Sequence, residues 1–229
     1  MNTLADVFRE LNALQSAGVV RHYAVGGAMA VLFYAEPIRT YDVDVFVIVP
    51  GTERQSLAPL ETIYEWTSAR GFQPDAEHVV IHGVPVQFLP AYSVLVEEAV
   101  LRARREDYDG VPVRVVGPEH LVALAIQPAA RDVASEHGSC WNQARSIRAR
   151  WTTFSAATGW SVRMAERVST NGETPQAIVD GKAAWHRRQA QMPLNEKVRI
   201  LLELQRQDLV LIQRHRPLRS WERPWPIEP

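Results

Sequence analysis

The segment 43–49, VDVFVIV, constrains this chain more than any other. Six of its seven residues are apolar and five are β-branched. Such a run suits a strand covered on both faces, the place of a central strand in a sheet flanked by helices. One acid, Asp44, interrupts it, and Asp42 lies two residues earlier. Residues two apart on a strand share a face, so Asp42 and Asp44 project together while Val43 and Val45 point into the core. Two carboxylates held this close repel when ionised, and a cation between them removes that cost.

The flanking text predicts an α/β fold with a small mixed sheet. Leu4, Phe8, Leu11 and Leu14 recur at helical spacing over residues 3–17, and Gly18 suits the stop. A short strand at 22–25 leads into Gly26-Gly27, and AMAVLFYA (28–35) reads as a short buried helix that Pro37 ends. A second helix is expected from about 53 to 70, with Pro59 bending it or delaying its start, and it stops at Gly71. Strands follow at 78–82 and 84–90 around a His82-Gly83 turn. The sequence then predicts a helix over 93–106, a strand over 111–116, and a helix opening at Gly117-Pro118.

After Asp132 the character changes. Residues 1–132 form one expected domain, 133–172 an irregular linker without hydrophobic periodicity, and 173–229 a basic helical module. The first 132 residues carry ten Arg and seventeen acids, a net −7; the rest carries fifteen Lys or Arg and nine acids, a net +6. The acidic half argues against nonspecific nucleic-acid binding by that half alone. The basic half suits nucleic acid or the acidic half itself. Two amphipathic helices are predicted in it, at about 175–191 and 194–215, with Pro193 between them. Leu194, Val198, Leu201, Leu202, Leu209 and Ile212 form the stripe of the second, and Gln205 is its one polar interruption. The end, RPLRSWERPWPIEP, reads as extended. Arg outnumbers Lys 23 to 2, a bias expected of GC-rich coding, in which shifted reading frames stay open. From Met164 the text reads like a small helical protein of its own, so a fusion of two reading frames, with residues 133–163 as a non-native joint, competes with a genuine variable linker.

No apolar run approaches the roughly 20 residues of a membrane span. The N-terminus carries acids early and lacks a signal-peptide pattern, so a cytoplasmic, membrane-free location is expected. Cys140 is the only cysteine, which excludes an intrachain disulfide and a cysteine metal cluster. It has no evident base to activate it. His78 and His82 lie four apart, but on a strand, where that spacing does not give helical ligand geometry. Trp185, His186, Arg187 and Arg188 interleave aromatic and basic groups, which more often marks a solvated helix face than a nucleic-acid site.

The chemistry-bearing combination is VGGAMAVLFYAEPIRTYDVDVFVIV. Gly26 and Gly27 follow a strand and open a helix, where backbone N–H groups can approach phosphate oxygens. Asp42 and Asp44 suit Mg²⁺ or Mn²⁺, hard ions that take carboxylate and phosphate oxygens. The pattern GG…R-T-x-D-x-D followed by apolar residues resembles the nucleotidyltransferase fold of the DNA polymerase β type, and more narrowly the AbiEii-type nucleotidyltransferases associated with toxin–antitoxin pairs. The likeness continues through VPVQFLP and GVPVRVVGPEHLVALAIQ and fades after Asp132. It implies that Gly26 and Gly27 hold the triphosphate, that Asp42 and Asp44 bind metal and serve catalysis, and that Arg39 and Thr40 border the nucleotide.

The implied activity is transfer of a nucleotidyl group from an NTP to a hydroxyl of RNA, tRNA included, or of a protein. A cognate antitoxin is the implied partner. Two departures favour a second reading, a catalytically degenerate nucleotide-binding or interaction protein. Gln87 stands where the family has a third carboxylate, and an amide neither acts as general base nor brings negative charge. Ala125 stands where the family commonly has a lysine.

Overall fold

The computed structural model describes residues 2–51, 59–126 and 184–229. Its elements run α1 (Leu4–Ser16), β1 (His22–Val25), α2 (Gly27–Tyr34), β2 (Val43–Ile48), α3 (Pro59–Ala69), β3 (Gln73–Asp75), β4 (His78–Ile81), β5 (Val84–Pro90), α4 (Val94–Leu101), β6 (Arg104–Tyr108), β7 (Val111–Val115), α5 (Pro118–Ile126) and α6 (Leu194–His215). A further helical stretch spans 184–190. The strands form one mixed sheet in the order β3-β4-β5-β2-β1-β7-β6.

The apolar segment behaves as its composition requires. β2 is the central strand, parallel to β5 and antiparallel to β1, and Val43, Val45 and Val47 are almost wholly buried. α1 covers the sheet with Leu4, Val7, Phe8, Leu11 and Leu14, and Gly18 adopts φ +74° just after its end. The His82-Gly83 turn has positive φ at both residues, the geometry that matches the twist of a two-residue hairpin.

The predicted helix over 93–106 is corrected. α4 ends at Leu101, and Arg104–Tyr108 is a strand paired antiparallel with β7. The cause is Asp109-Gly110, where both residues have positive φ (51° and 75°) and close a two-residue hairpin. β3 also escaped prediction. It and β6 are the two edges of the sheet, short and rich in polar residues, which is how edge strands avoid pairing with other chains. α3 is described from Pro59 onward, and an earlier start falls outside the described residues. So do Cys140, the linker 133–172 with its fusion joint, and the first part of the helix expected at 175–191.

Helix α6 does not stand apart from the sheet. Val198, Leu201 and Leu202, with Trp225 and Ile227 of the tail, belong to the same core cluster as α1 and the strands. Its polar interruption is a connector. Gln205 is wholly buried; its Nε2 donates to the Thr40 carbonyl (2.7 Å), and its Oε1 accepts from the Trp225 N–H (3.0 Å). Trp225 Nε1 donates to the Tyr41 carbonyl (3.1 Å). Lys197 is buried too, donating to the carbonyls of Leu32 (2.9 Å) and Ala190 (2.8 Å), and burial lowers its pKa. Those carbonyls lie in the last turn of α2 and of the 184–190 stretch, where helices leave acceptors unmatched.

The irregular tail is fastened by Arg216, whose guanidinium makes two 2.6 Å bonds to Glu222, and by the Arg219 N–H, which donates to the same carboxylate (3.0 Å). Its last residues reach α1: Glu228 bridges Thr3, and the Glu228 N–H donates to the Asn2 carbonyl.

Replacing Gln205 with Leu fits the apolar stripe but removes the buried hydrogen bonds to the Thr40 carbonyl and the Trp225 N–H. A buried unpaired group costs about 1–3 kcal/mol, so urea unfolding should show a loss of roughly 2–4 kcal/mol. A gain in stability would mean that the connector is not formed. The Arg216 bonds hold the Glu222 pKa below its ordinary 4.5. The stability this lends is present above 4.5 and lost as pH falls through the lowered value. Acid titration of tryptophan fluorescence should therefore show a tail-release step below pH 4.5 that Glu222→Gln abolishes.

Candidate active site

The site forms where β1, β2 and β5 lie side by side. β1 runs out at Val25, and the Gly26 N–H donates to the Asp44 carbonyl (2.8 Å), which ties the start of α2 to β2 at the acidic residue. Gly27 has φ +55°, and a Cβ placed there would sit 1.8 Å from Asp44 Oδ2. A Cβ on Gly26 would meet the Phe46 ring at 2.4 Å. The Asp44 carboxylate thus rests against the backbone that opens α2, in space that only glycine leaves. The positive end of the helix favours a negative group at that place.

Asp42 immediately precedes β2 rather than lying in it. The Thr40 hydroxyl donates to its Oδ1 (2.7 Å), and the buried Thr40 carbonyl in turn accepts from Gln205. Asp44 and the glycine pair are brought together. Both acids are nearly buried: Asp42 is 9% exposed and Asp44 5%. α6 and the tail close over the loop that leads into β2. Arg39, expected beside the nucleotide, forms an ion pair with Asp208 of α6. The Tyr41 hydroxyl also contacts Asp208 (3.5 Å), and burial together with that negative charge pushes Tyr41 up to about 12.

Gln87 is the register partner of Asp44 across the parallel β2–β5 pair and is buried. The amide therefore occupies the place next to the D-x-D motif where the resemblance expects a carboxylate. Its Oε1 has no hydrogen-bond partner among the described residues.

His78 belongs to this site, and sequence reasoning set it aside. It is 1% exposed, and its Nε2 lies 3.6 Å from Asp42 Oδ2. Its ring packs against Trp221 of the tail, with centroids 5.0 Å apart. The paired Val79 and Val86 put His78 one step further along β4, level with Gln87 on β5. The missed signal was the hairpin register: with His82-Gly83 as the turn, counting back along both strands sets His78 beside Gln87. His82 goes elsewhere, with Nε2 3.6 Å from Glu10 and its ring against Phe72.

The other sequence candidates have ordinary partners. His186 Nδ1 lies 2.5 Å from Glu36 Oε2, its ring packs on Trp185, and Ala125 is a half-buried residue of α5. Among the described residues no group of three His, Cys, Asp or Glu side chains is arranged to hold a metal ion. None of the described helices is long and apolar enough to cross a membrane.

A central strand with paired carboxylates, set against a glycine pair that opens a helix, defines a nucleotidyltransferase-type domain. Residues 2–140 match the family described as "Nucleotidyl transferase of unknown function" (DUF2204), and the chain belongs to that family. No curated protein matches it.

Gly27→Ala should cost far more than Gly18→Ala. Both positions have positive φ, but a Cβ at Gly18 meets nothing within 4 Å, whereas at Gly27 it displaces Asp44. Gly18→Ala should lose about 1 kcal/mol from backbone strain. Gly27→Ala should exceed that by at least about 2 kcal/mol in thermal or urea unfolding. Equal losses at both positions would show that Asp44 does not rest on Gly27.

Proposed function

We propose that the chain is a metal-dependent nucleotidyltransferase, moving a nucleotidyl group from an NTP to a hydroxyl of RNA or protein. The observation that carries this is the packing of Asp44, two residues after Asp42, against the Gly26-Gly27 backbone at the N-terminus of α2. By chemistry the carboxylates of Asp42 and Asp44, with Gln87 opposite Asp44 in the register, are oxygen donors of the kind a hard divalent ion takes. Asp42 and Asp44 would hold it. When bound, such an ion supplies charge neutralisation at the phosphates and lowers the pKa of the attacking hydroxyl.

The chain's own part is positional. The space that the glycine pair leaves is filled by the Asp44 carboxylate and the Phe46 ring, so phosphate oxygens would reach the first N–H groups of α2 beside Asp44. The Thr40 hydroxyl holds one oxygen of the Asp42 carboxylate, and both acids are nearly buried. Arg39 could reach phosphate only by leaving Asp208, so nucleotide entry would compete with docking of α6 at that residue. An acceptor on tRNA or another RNA, or on a protein, and a cognate antitoxin as partner follow from the likeness to the AbiEii-type proteins.

Gln87 supports a second reading, a degenerate member that binds nucleotide without transferring it. With an amide beside Asp44, the site carries one negative charge fewer than a three-carboxylate centre.

Incubation with each α-labelled NTP, Mg²⁺ or Mn²⁺, and total RNA or protein should label an acceptor. Label should fall to background in Asp42→Asn with Asp44→Asn. Saturable NTP binding without label transfer, under every nucleotide and metal, would establish the second reading instead.

A further inference from the structure

Two donors of loop 35–42, Arg39 and Tyr41, meet a single carboxylate, that of Asp208 on α6. Arg39 makes its ion pair there while its own side chain stays 53% exposed, and the Asp208 side chain is only 16% exposed. The Tyr41 hydroxyl is less well served. Tyr41 is buried, and its hydroxyl has two acceptors, Asp208 Oδ2 and the Gln205 carbonyl, each at 3.5 Å. Hydroxyl bonds ordinarily span about 2.5–3.0 Å. A buried donor without a close acceptor points to a water, a ligand or a function.

The core does not hold Asp208 in place. Val198, Leu201, Leu202 and Gln205 anchor the first half of α6, whereas no residue from Arg206 to His215 is buried. Arg39 can therefore turn away from Asp208 without uncovering a core residue. Arg216 and Glu222 also stand near Tyr41, but two 2.6 Å bonds match them to each other and leave Arg39 for an incoming anion. A guanidinium beside a hydroxyl suits phosphate as it suits carboxylate, since both anions offer paired oxygens to the same donors.

We infer that Arg39 and Tyr41 form an anion site for the triphosphate of an NTP, and that Asp208 fills it as an internal stand-in until the nucleotide displaces it. The inference rests on the nucleotide-binding half of the proposed function and adds a regulation to it. The two donors lie within the part of the chain that the family match covers, residues 2–140, and the stand-in lies beyond it. A triphosphate brings several negative charges to a place where Asp208 brings one. Because the two anions compete for one donor pair, whatever Asp208 takes from nucleotide affinity, bound nucleotide takes from the docking of α6.

The test uses the full chain and calorimetric titration with each of the four NTPs, the matching nucleoside and inorganic tripolyphosphate. Asp208→Asn should bind NTP at least about fivefold more tightly than wild type, because the competing anion is gone. Tripolyphosphate should share that gain and the nucleoside should not. Arg39→Gln should cancel the gain when combined with Asp208→Asn. Tyr41→Phe in the Asp208→Asn background should weaken NTP binding by about tenfold, the loss of one hydrogen bond to a charged group. Wild type gives a readout that needs no variant: amide hydrogen exchange over residues 206–215 should speed up on saturation with NTP.

Equal NTP affinity in wild type and Asp208→Asn would overturn the inference and spare the nucleotide site. So would a gain that survives Arg39→Gln, a gain that appears with the nucleoside, an NTP affinity indifferent to Tyr41→Phe, or exchange over 206–215 that holds or slows while NTP is bound. If neither wild type nor Asp208→Asn binds any NTP, the nucleotide-binding reading falls and takes this inference with it.

Discussion

The structure is organised around the cost of keeping two carboxylates nearly buried at the centre of a sheet. An isolated ionised group away from water is expensive, and it persists only where charges, dipoles or donors answer it. Asp44 is answered by the N-terminal backbone of α2, which can come close only because Gly27 has no side chain. Asp42 is answered by the Thr40 hydroxyl on one oxygen and faces His78 with the other. The remaining features follow from this constraint. The glycine pair must follow β1 directly, β1 must pair with β2, and the Gly26 N–H must reach the Asp44 carbonyl for the helix to start at the right height.

The C-terminal segment then acts as part of the same solution. Loop 35–42 holds Thr40 and Asp42 outside any strand ladder, so its carbonyls need other donors. Gln205 and Trp225 supply them at Thr40 and Tyr41, and Lys197 does the same for Leu32 at the end of α2. Three donors from residues 194–229 therefore fix the backbone that presents the acid. The family match ends at residue 140, yet α6 contributes to the core of the sheet. Whatever the origin of residues 133–163, the segment after them completes the surroundings of Asp42.

Much of this was legible in the sequence because the relevant signals are local. The strand after Asp42 and the helix start at Gly26-Gly27 follow from composition and local spacing. The register of Gln87 with Asp44 was reached through resemblance, and the sheet pairing agrees with it. The misses have two physical origins. RRED suits a helical surface as well as an edge strand, and the Asp109-Gly110 turn, which sets the hairpin, decides for the strand. His78 was set aside because it was weighed against His82, its neighbour in sequence, whereas its partners lie on β5, on the tail and before β2. Gln205 read as a flaw in an apolar stripe, since nothing in one helix reveals that the opposing loop has a carbonyl to satisfy.

Gln87 and His78 are best understood together rather than as one loss and one curiosity. Replacing a carboxylate with an amide beside Asp44 removes a negative charge from a buried cluster and so lowers the repulsion among the acids. It also lowers the pull on any cation, because an amide oxygen is a weaker donor than a carboxylate. His78, level with it on the neighbouring strand, brings a buried ring rather than a third carboxylate to the same face. The burial of this face therefore has two acids to answer and not three. On that argument the amide at Gln87 belongs to the same constraint as the glycine at 27: each limits what the buried acids cost.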